Sequence, residues 1–171
     1  LGEIVRAAGG TIVPAADPAR LPRAIKNEAE IEGTRSAHLR DGAAMTTYLA
    51  WLDQQPPASV DEITAAQKLE SVRHDMAGNK PLKDISFDTI SGAGPNGAIV
   101  HYRVNETTNR KIKSGELYLV DSGAQYEDGT TDITRTLAVG PVSKEMKRHF
   151  TLVLKGHIAL ATIRFPKGTK R

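Results

Sequence analysis

The sequence predicts an α+β fold, with an antiparallel, curved sheet covered by helices on one face. Two features point there. Apolar residues recur at helical spacing up to about residue 76 and again after Ser143, while the stretch from Phe87 to Val139 carries short apolar runs broken by glycine-rich turns. Helices, then strands, then a helix is the order of segregated α+β rather than of alternating βαβ units.

The elements follow in order. Gly9-Gly10 and Pro14 bracket Thr11-Ile-Val13, read as a short strand or extended lead-in. Asp17-Pro18 starts a short helix ending near Lys26, with a capping side chain followed by proline at the first helical position. Asn27 caps a longer helix running to about Gln54, and Glu28, Glu30 and Glu32 set negative charge on the positive end of its dipole. Ile31, Met45, Tyr48, Leu49 and Leu52, with Ala37 and Ala44, form its apolar side. Gly33 and Gly42 mark a bend or a close approach of a neighbour.

Ser59-Val-Asp-Glu62 has the form of a capping box for a helix to about Met76, with Ile63, Ala66, Leu69 and Val72/Arg73 on one side. Gly78 to Pro81 is a loop. Phe87 to Ser91 reads as strand, Gly92 to Gly97 as a tight loop, and Ala98 to Tyr102 as strand again. Thr107 to Gly115 is polar connection. Leu117 to Asp121 is a buried-type strand, and Thr130 to Val139 alternates as its antiparallel partner. Ser143 caps a last helix carrying Met146, Phe150, Leu154, Ile158 and Ala161.

Composition narrows the function. The chain has 171 residues, 39% hydrophobic and 25% charged, with a net charge of +3 from 23 basic and 20 acidic residues. That excess is too thin to indicate nucleic acid, and 5% aromatic content gives no stacking platform. Zero cysteines exclude disulfide scaffolds, thiolate metal sites and thiol catalysis. The longest apolar run, Tyr48 to Leu52, falls far short of the ~20 residues of a membrane helix. Cytoplasmic residence is the expectation.

The chemistry centres on Asp121 and Asp132. Asp121 ends a strongly apolar strand, and Asp132 lies in Thr130-Thr-Asp-Ile-Thr-Arg-Thr136 on the returning strand. An unpaired carboxylate at a buried strand end is costly. Two registers compete. A turn centred between Tyr126 and Glu127 sets Asp121 opposite Asp132, with Cβ atoms ~5 Å apart on one face. The pair then repels unless a cation lies between. A primed turn at Asp128-Gly129 sets Asp121 opposite Thr136, with Asp132 roughly 13 Å away, too far to share a metal.

His101, a lone histidine, reads more readily as a structural residue than as a catalytic one. The glycines at 92, 94 and 97 do not match a phosphate loop, so tight turning is the better reading. His38, His74, His149 and His157 read as solvated or packing residues. Arg135 is a candidate to balance a nearby carboxylate, and Lys167, Lys170 and Arg171 form a small basic end.

Gly94-Pro-Asn-Gly-Ala-Ile-Val-His-Tyr102, Val120-Asp-Ser-Gly-Ala-Gln-Tyr126, Asp128-Gly-Thr-Thr-Asp-Ile-Thr-Arg-Thr136 and Phe150 to Leu160 resemble the Xaa-Pro aminopeptidases of the three-domain cytosolic type. Lys26 to Arg35 and Trp51-Leu-Asp53 resemble the opening helix of the same catalytic domain. The resemblance implies the pita-bread fold, shared with prolidase, creatinase and methionine aminopeptidase. It implies hydrolysis of the bond between an N-terminal residue and a following proline. It also implies two divalent ions, usually manganese, held by two aspartates, one histidine and two glutamates.

Asp121 and Asp132 match the two aspartates, which selects the first register, and His101 matches a histidine lining the substrate site. The other three ligands belong to the family's second half. The expectation is therefore a fragment, with 1–16 as lead-in from a preceding domain and 17–171 as the amino-terminal half of the catalytic domain. Such a fragment is inactive alone, and its parent is a homodimer acting on peptides with proline second, binding neither nucleic acid nor membrane. The alternative is a non-catalytic pita-bread module that binds protein.

Overall fold

A computed structural model describes residues 1–169, so Lys170 and Arg171 of the expected basic end lie outside the described residues. Among the described residues there are five α-helices: α1 Gly2–Ala7, α2 Arg20–Ala24, α3 Glu28–Asp53, α4 Glu62–Met76 and α5 Lys144–Thr162. The strands are β1 Asp84–Ile85, β2 Ile90–Ala93, β3 Glu116–Ser122, β4 Ala124–Gln125 and β5 Ile133–Val139. β2, β3 and β5 form an antiparallel sheet with β3 in the centre, and β1 pairs with β4 beside it.

The helix caps show how local chemistry sets the boundaries. Asn27 accepts from the Glu30 amide at 2.9 Å, and the Glu30 side chain accepts from the Asn27 amide at 2.9 Å. Both orphan donors at the start of α3 are thereby satisfied. Ser143 caps α5 through a single bond, accepting from the Met146 amide at 3.1 Å.

The expected box at Ser59 is not formed. Asp61 is the cap of α4, accepting from the Thr64 amide at 2.8 Å, while the Ser59 hydroxyl bonds back to the Pro56 carbonyl. Glu62, freed from that role, is fully buried and works elsewhere. Three further expectations narrow or change. Thr11–Val13 forms no strand, which leaves the lead-in of the two readings, and α1 precedes it. The strand expected at Phe87–Ser91 begins at Ile90 and runs through Gly92 to Ala93. Ala98–Tyr102 is not a strand: a 3₁₀ turn spans Gly94–Ala98 and a tight turn follows.

The core lies between α3, α4 and the inner face of the sheet. Tyr48, Leu69, Tyr118 and Val120 are all fully buried there with Met45 and Ala65. The Tyr48 and Tyr118 hydroxyls bond each other at 3.1 Å, and Ser91 Oγ lies 2.8 Å from that of Tyr118. Burial pushes both phenols well above their ordinary pKa, so they remain neutral hydrogen-bonding groups.

Gly33 is needed because any Cβ there would overlap the Asp128 carbonyl oxygen, so α3 runs directly against the turn joining β4 to β5. Arg40 on α3 holds that turn, donating to both Asp128 oxygens and lying 4.9 Å from the Tyr126 ring centroid. Gly42 has open space around it, and nothing in the structure explains it.

Candidate metal centre

Strand alternation decides what faces the helices and what faces away. In β3, Tyr118, Val120 and Ser122 are buried against the helix layer, so Leu117, Leu119 and Asp121 point to the other face. Asp121 pairs with Thr134 of β5, whose hydroxyl donates to Asp121 Oδ1 at 2.7 Å. Asp132, two residues before Thr134, is the diagonal neighbour on the same face.

Neither expected register is therefore correct. The Tyr126 amide donates to the Gly129 carbonyl, which makes Glu127-Asp128 the two central residues of the turn, midway between the two alternatives. The correction moves the partner of Asp121 by two residues, from Asp132 to Thr134. An even slip preserves the face, which is why the two carboxylates still meet.

Their encounter is visible in the electrostatics. The Asp132 carboxyl is raised above its ordinary pKa, first by loss of hydration, then by the charge of Asp121 and by a hydrogen bond to it. His38 opposes this. Its ring Nδ1 lies 2.9 Å from the Thr34 carbonyl, and the residue is exposed, in keeping with the solvated reading. His74, His149 and His157 are exposed as expected. Arg135 is exposed and donates to the Thr134 carbonyl at 2.7 Å rather than to a carboxylate.

Asp121 and Asp132 line one cavity of about 340 Å³ with Phe87, Asp88, Ile90, His101 and Arg103. Arg103 is occupied there by Asp88, at 2.6 Å. Among the described residues, neither Asp121 nor Asp132 forms an ion pair with a basic side chain. A larger groove, about 660 Å³, is lined mainly by apolar residues around Leu52, Ile112 and Val139, with Asp53 its one titratable side chain, and lies away from this chemistry.

His101 reaches the cavity from a turn closed by the Tyr102 amide on the Ile99 carbonyl. Its φ of 52° is in the left-handed region, which costs a non-glycine residue roughly 1 kcal/mol or more. Glu62 holds this segment in place. Its buried carboxylate accepts from the Ala93 amide at 2.7 Å, Asn96 Nδ2 at 3.0 Å, the Tyr102 hydroxyl at 3.0 Å and the Arg110 amide at 3.2 Å. The glycines at 92 and 97 let the chain double back, since a Cβ on Gly92 would come within 2.8 Å of the Gly97 backbone.

Two oxygen-donor side chains that repel each other on one cavity wall fit one edge of a divalent-cation site. Among the described residues, no cluster of three or more His, Asp or Glu side chains could enclose an ion. The family model of metallopeptidase family M24 matches residues 32–170. The chain belongs to metallopeptidase family M24.

Relatives within the family agree. The probable Xaa-Pro aminopeptidase P of Neurospora crassa is 51% identical over 150 residues, covering 86% of this chain and 22% of its own length. That of Phaeosphaeria nodorum is 49% identical over 152 residues, covering 86% and 23%. Among solved structures, the X-prolyl aminopeptidase of Caenorhabditis elegans, described as a cytosolic enzyme with a di-nuclear active site, matches with a TM-score of 0.80 and 40% identity. The match covers 90% of this chain and 25% of that one. The Xaa-Pro dipeptidase of Bacillus anthracis matches with a TM-score of 0.75 and 28% identity, over 90% of this chain and 40% of that one.

This M24 chain thus spans about a quarter of the length of the curated relatives it matches. Its fold is the expected α+β, pita-bread class, which the solved M24 neighbours share.

Proposed function

We propose that this chain is the amino-terminal half of the catalytic domain of an Xaa-Pro aminopeptidase. In this reading 1–16 lead in from a preceding domain and 17–171 form the half-domain. The whole protein hydrolyses the bond between an N-terminal residue and a following proline, using two divalent ions, manganese foremost, and this half alone is inactive. It is a cytoplasmic homodimer. Supporting the reading are relatives at about half identity that carry the name Xaa-Pro aminopeptidase P, and a solved relative described as cytosolic and di-nuclear. Among the described residues no helix is long and apolar enough to cross a membrane.

One observation carries the proposal: Asp121 and Asp132 converge, without a basic partner, on a cavity that also receives His101. Bound divalent ions supply Lewis acidity to a peptide carbonyl and lower the pKa of water. The two carboxylates provide the negative charge that holds such ions, and Thr134 fixes the orientation of Asp121 through its hydroxyl. His101, held by its turn, offers a ring nitrogen to the substrate, and Phe87 and Ile90 give the cavity an apolar wall.

The test uses the whole protein with a Xaa-Pro peptide and manganese. Release of the first residue is expected to fall at least ~100-fold in Asp121→Ala and in Asp132→Ala. Undiminished manganese-dependent turnover by both variants would overturn the proposal.

A further inference from the structure

We propose that the buried Asp41–Arg73 pair positions the two metal-ligating aspartates, by gripping their hairpin at Gly123 and Thr131. The proposal rests on the reading of Asp121 and Asp132 as metal ligands.

The pair joins the helix layer to the hairpin. Arg73 on α4 donates through Nε to Asp41 Oδ1 at 2.6 Å and through a terminal nitrogen to Oδ2 at 3.0 Å, with both side chains at 1% exposure or less. The remaining capacity of each group goes to the hairpin. Asp41 Oδ2 accepts from the Thr131 hydroxyl at 2.6 Å, and Oδ1 accepts from the Tyr126 hydroxyl at 3.2 Å. The other terminal nitrogen of Arg73 reaches the Gly123 carbonyl at 3.4 Å. A carboxylate offers about four lone-pair sites, and four donors occupy them here.

The gripped residues flank the ligands. Gly123 is two residues after Asp121, and Thr131 is the residue before Asp132. The two strands are also tied to each other at this level. The Thr131 amide donates to the Ala124 carbonyl at 2.8 Å, and the Ala124 amide donates to the Thr131 hydroxyl at 2.9 Å. Ser86 completes the crossing, with its amide on the Gly123 carbonyl at 3.1 Å and its hydroxyl on the Thr131 carbonyl at 3.0 Å. Position 123 admits no side chain, because a Cβ would overlap both the Thr131 carbonyl and Ser86 Oγ. Strand separation beside the ligands is thus fixed from the helix side, while the carboxylates point out of the opposite face.

Stability alone is a weak reason to bury such a pair, since apolar replacements of similar volume are often as stable. Directional bonds converging on the neighbours of two ligands are a better reason. Groups bonded directly to a metal ligand typically change metal affinity by about 10–100-fold when removed, and that range is the upper bound for a contact one residue away.

The test titrates Mn²⁺ into the metal-stripped whole protein by calorimetry and records thermal unfolding of the same samples. Thr131→Val is expected to weaken the site by about 10-fold and Thr131→Ser to restore it. Tyr126→Phe removes another donor from the same carboxylate, but farther from Asp132. It is expected to lower Tm comparably while leaving the affinity near that of the unsubstituted protein. Ser86→Ala, a milder change at the same crossing, is expected to weaken binding several-fold, and it decides the matter should Thr131→Val not fold.

The positioning role is overturned if Thr131→Val or Ser86→Ala binds normally while Asp132→Ala does not, or if affinity merely tracks Tm across the set. Failure of the unsubstituted protein to bind, or full binding by Asp121→Ala, would instead overturn the metal reading and this inference with it.

Discussion

Two amphipathic helices of this chain meet opposite fates. α3 has a poorly separated apolar side, interrupted by Asp41, yet it buries Ala37, Asp41, Ala44, Met45 and Tyr48. α5 has the cleaner stripe and buries nothing. Phe150, Leu154 and Ile158 stand 47%, 45% and 52% exposed. Apolar spacing therefore reports a demand for a partner, and whether that demand is met depends on the rest of the fold. α3 is met by α4 and the sheet. α5 follows β5 out of the sheet, and beyond the half-buried Met146 its apolar side stays largely exposed in the described chain.

The largest way to break the packed side of this contrast is Asp41→Ala. It leaves the Arg73 guanidinium buried without its counter-charge and strips Tyr126 and Thr131 of their acceptor. Urea denaturation should show a loss of about 3–5 kcal/mol. A loss under about 1 kcal/mol would mean that the helix layer does not hold the hairpin as described.

Asp41 also shows where sequence reading stops. Ala37, Asp41, Ala44, Met45 and Tyr48 share one helical face, so a carboxylate on the apolar side was there to be noticed. Its partner Arg73 lies in the corresponding stripe of α4. Spacing can flag such residues but cannot pair them, because the pairing is tertiary. The hairpin teaches a related lesson. Asp121 and Asp132 were legible as a facing pair, yet the turn was misplaced to either side of Glu127-Asp128. No glycine or asparagine occupies the central turn positions, so the usual signal pointed to Asp128-Gly129 instead. Ala98–Tyr102 looked like a strand by its apolar run. What the sequence does not display is the buried Glu62 carboxylate, which draws Asn96 and Tyr102 inward and bends that run into turns.

A smaller, pH-dependent effect sharpens the comparison at the hairpin turn. Hydrogen bonds from Arg40 hold the Asp128 carboxyl below the usual carboxylate range. A depressed folded-state pKa means stability that is present above the ordinary carboxylate pKa and lost as pH falls through the depressed value. With side chains 20% and 17% exposed, the pair contributes on the order of 1 kcal/mol. Asp128→Asn should therefore be less stable than the unsubstituted chain at neutral pH, and the gap should close in acid. Equal stability at both ends of the pH range would show that the turn is held by Gly33 and Gly129 packing alone.

The smallest effect in this chain belongs to α5. Leu154→Ala removes a side chain that touches little, so unfolding of the 171-residue chain should change by less than about 0.5 kcal/mol. If the proposed second half covers this stripe in the whole protein, the same substitution there leaves a cavity costing about 2–5 kcal/mol. The difference between the two measurements, rather than either alone, reads out whether α5 has acquired a partner. A large loss already present in the short chain would mean that copies of it associate through the stripe, as exposed apolar surface of this extent invites. The loss would then diminish on dilution, whereas burial within one polypeptide is independent of concentration.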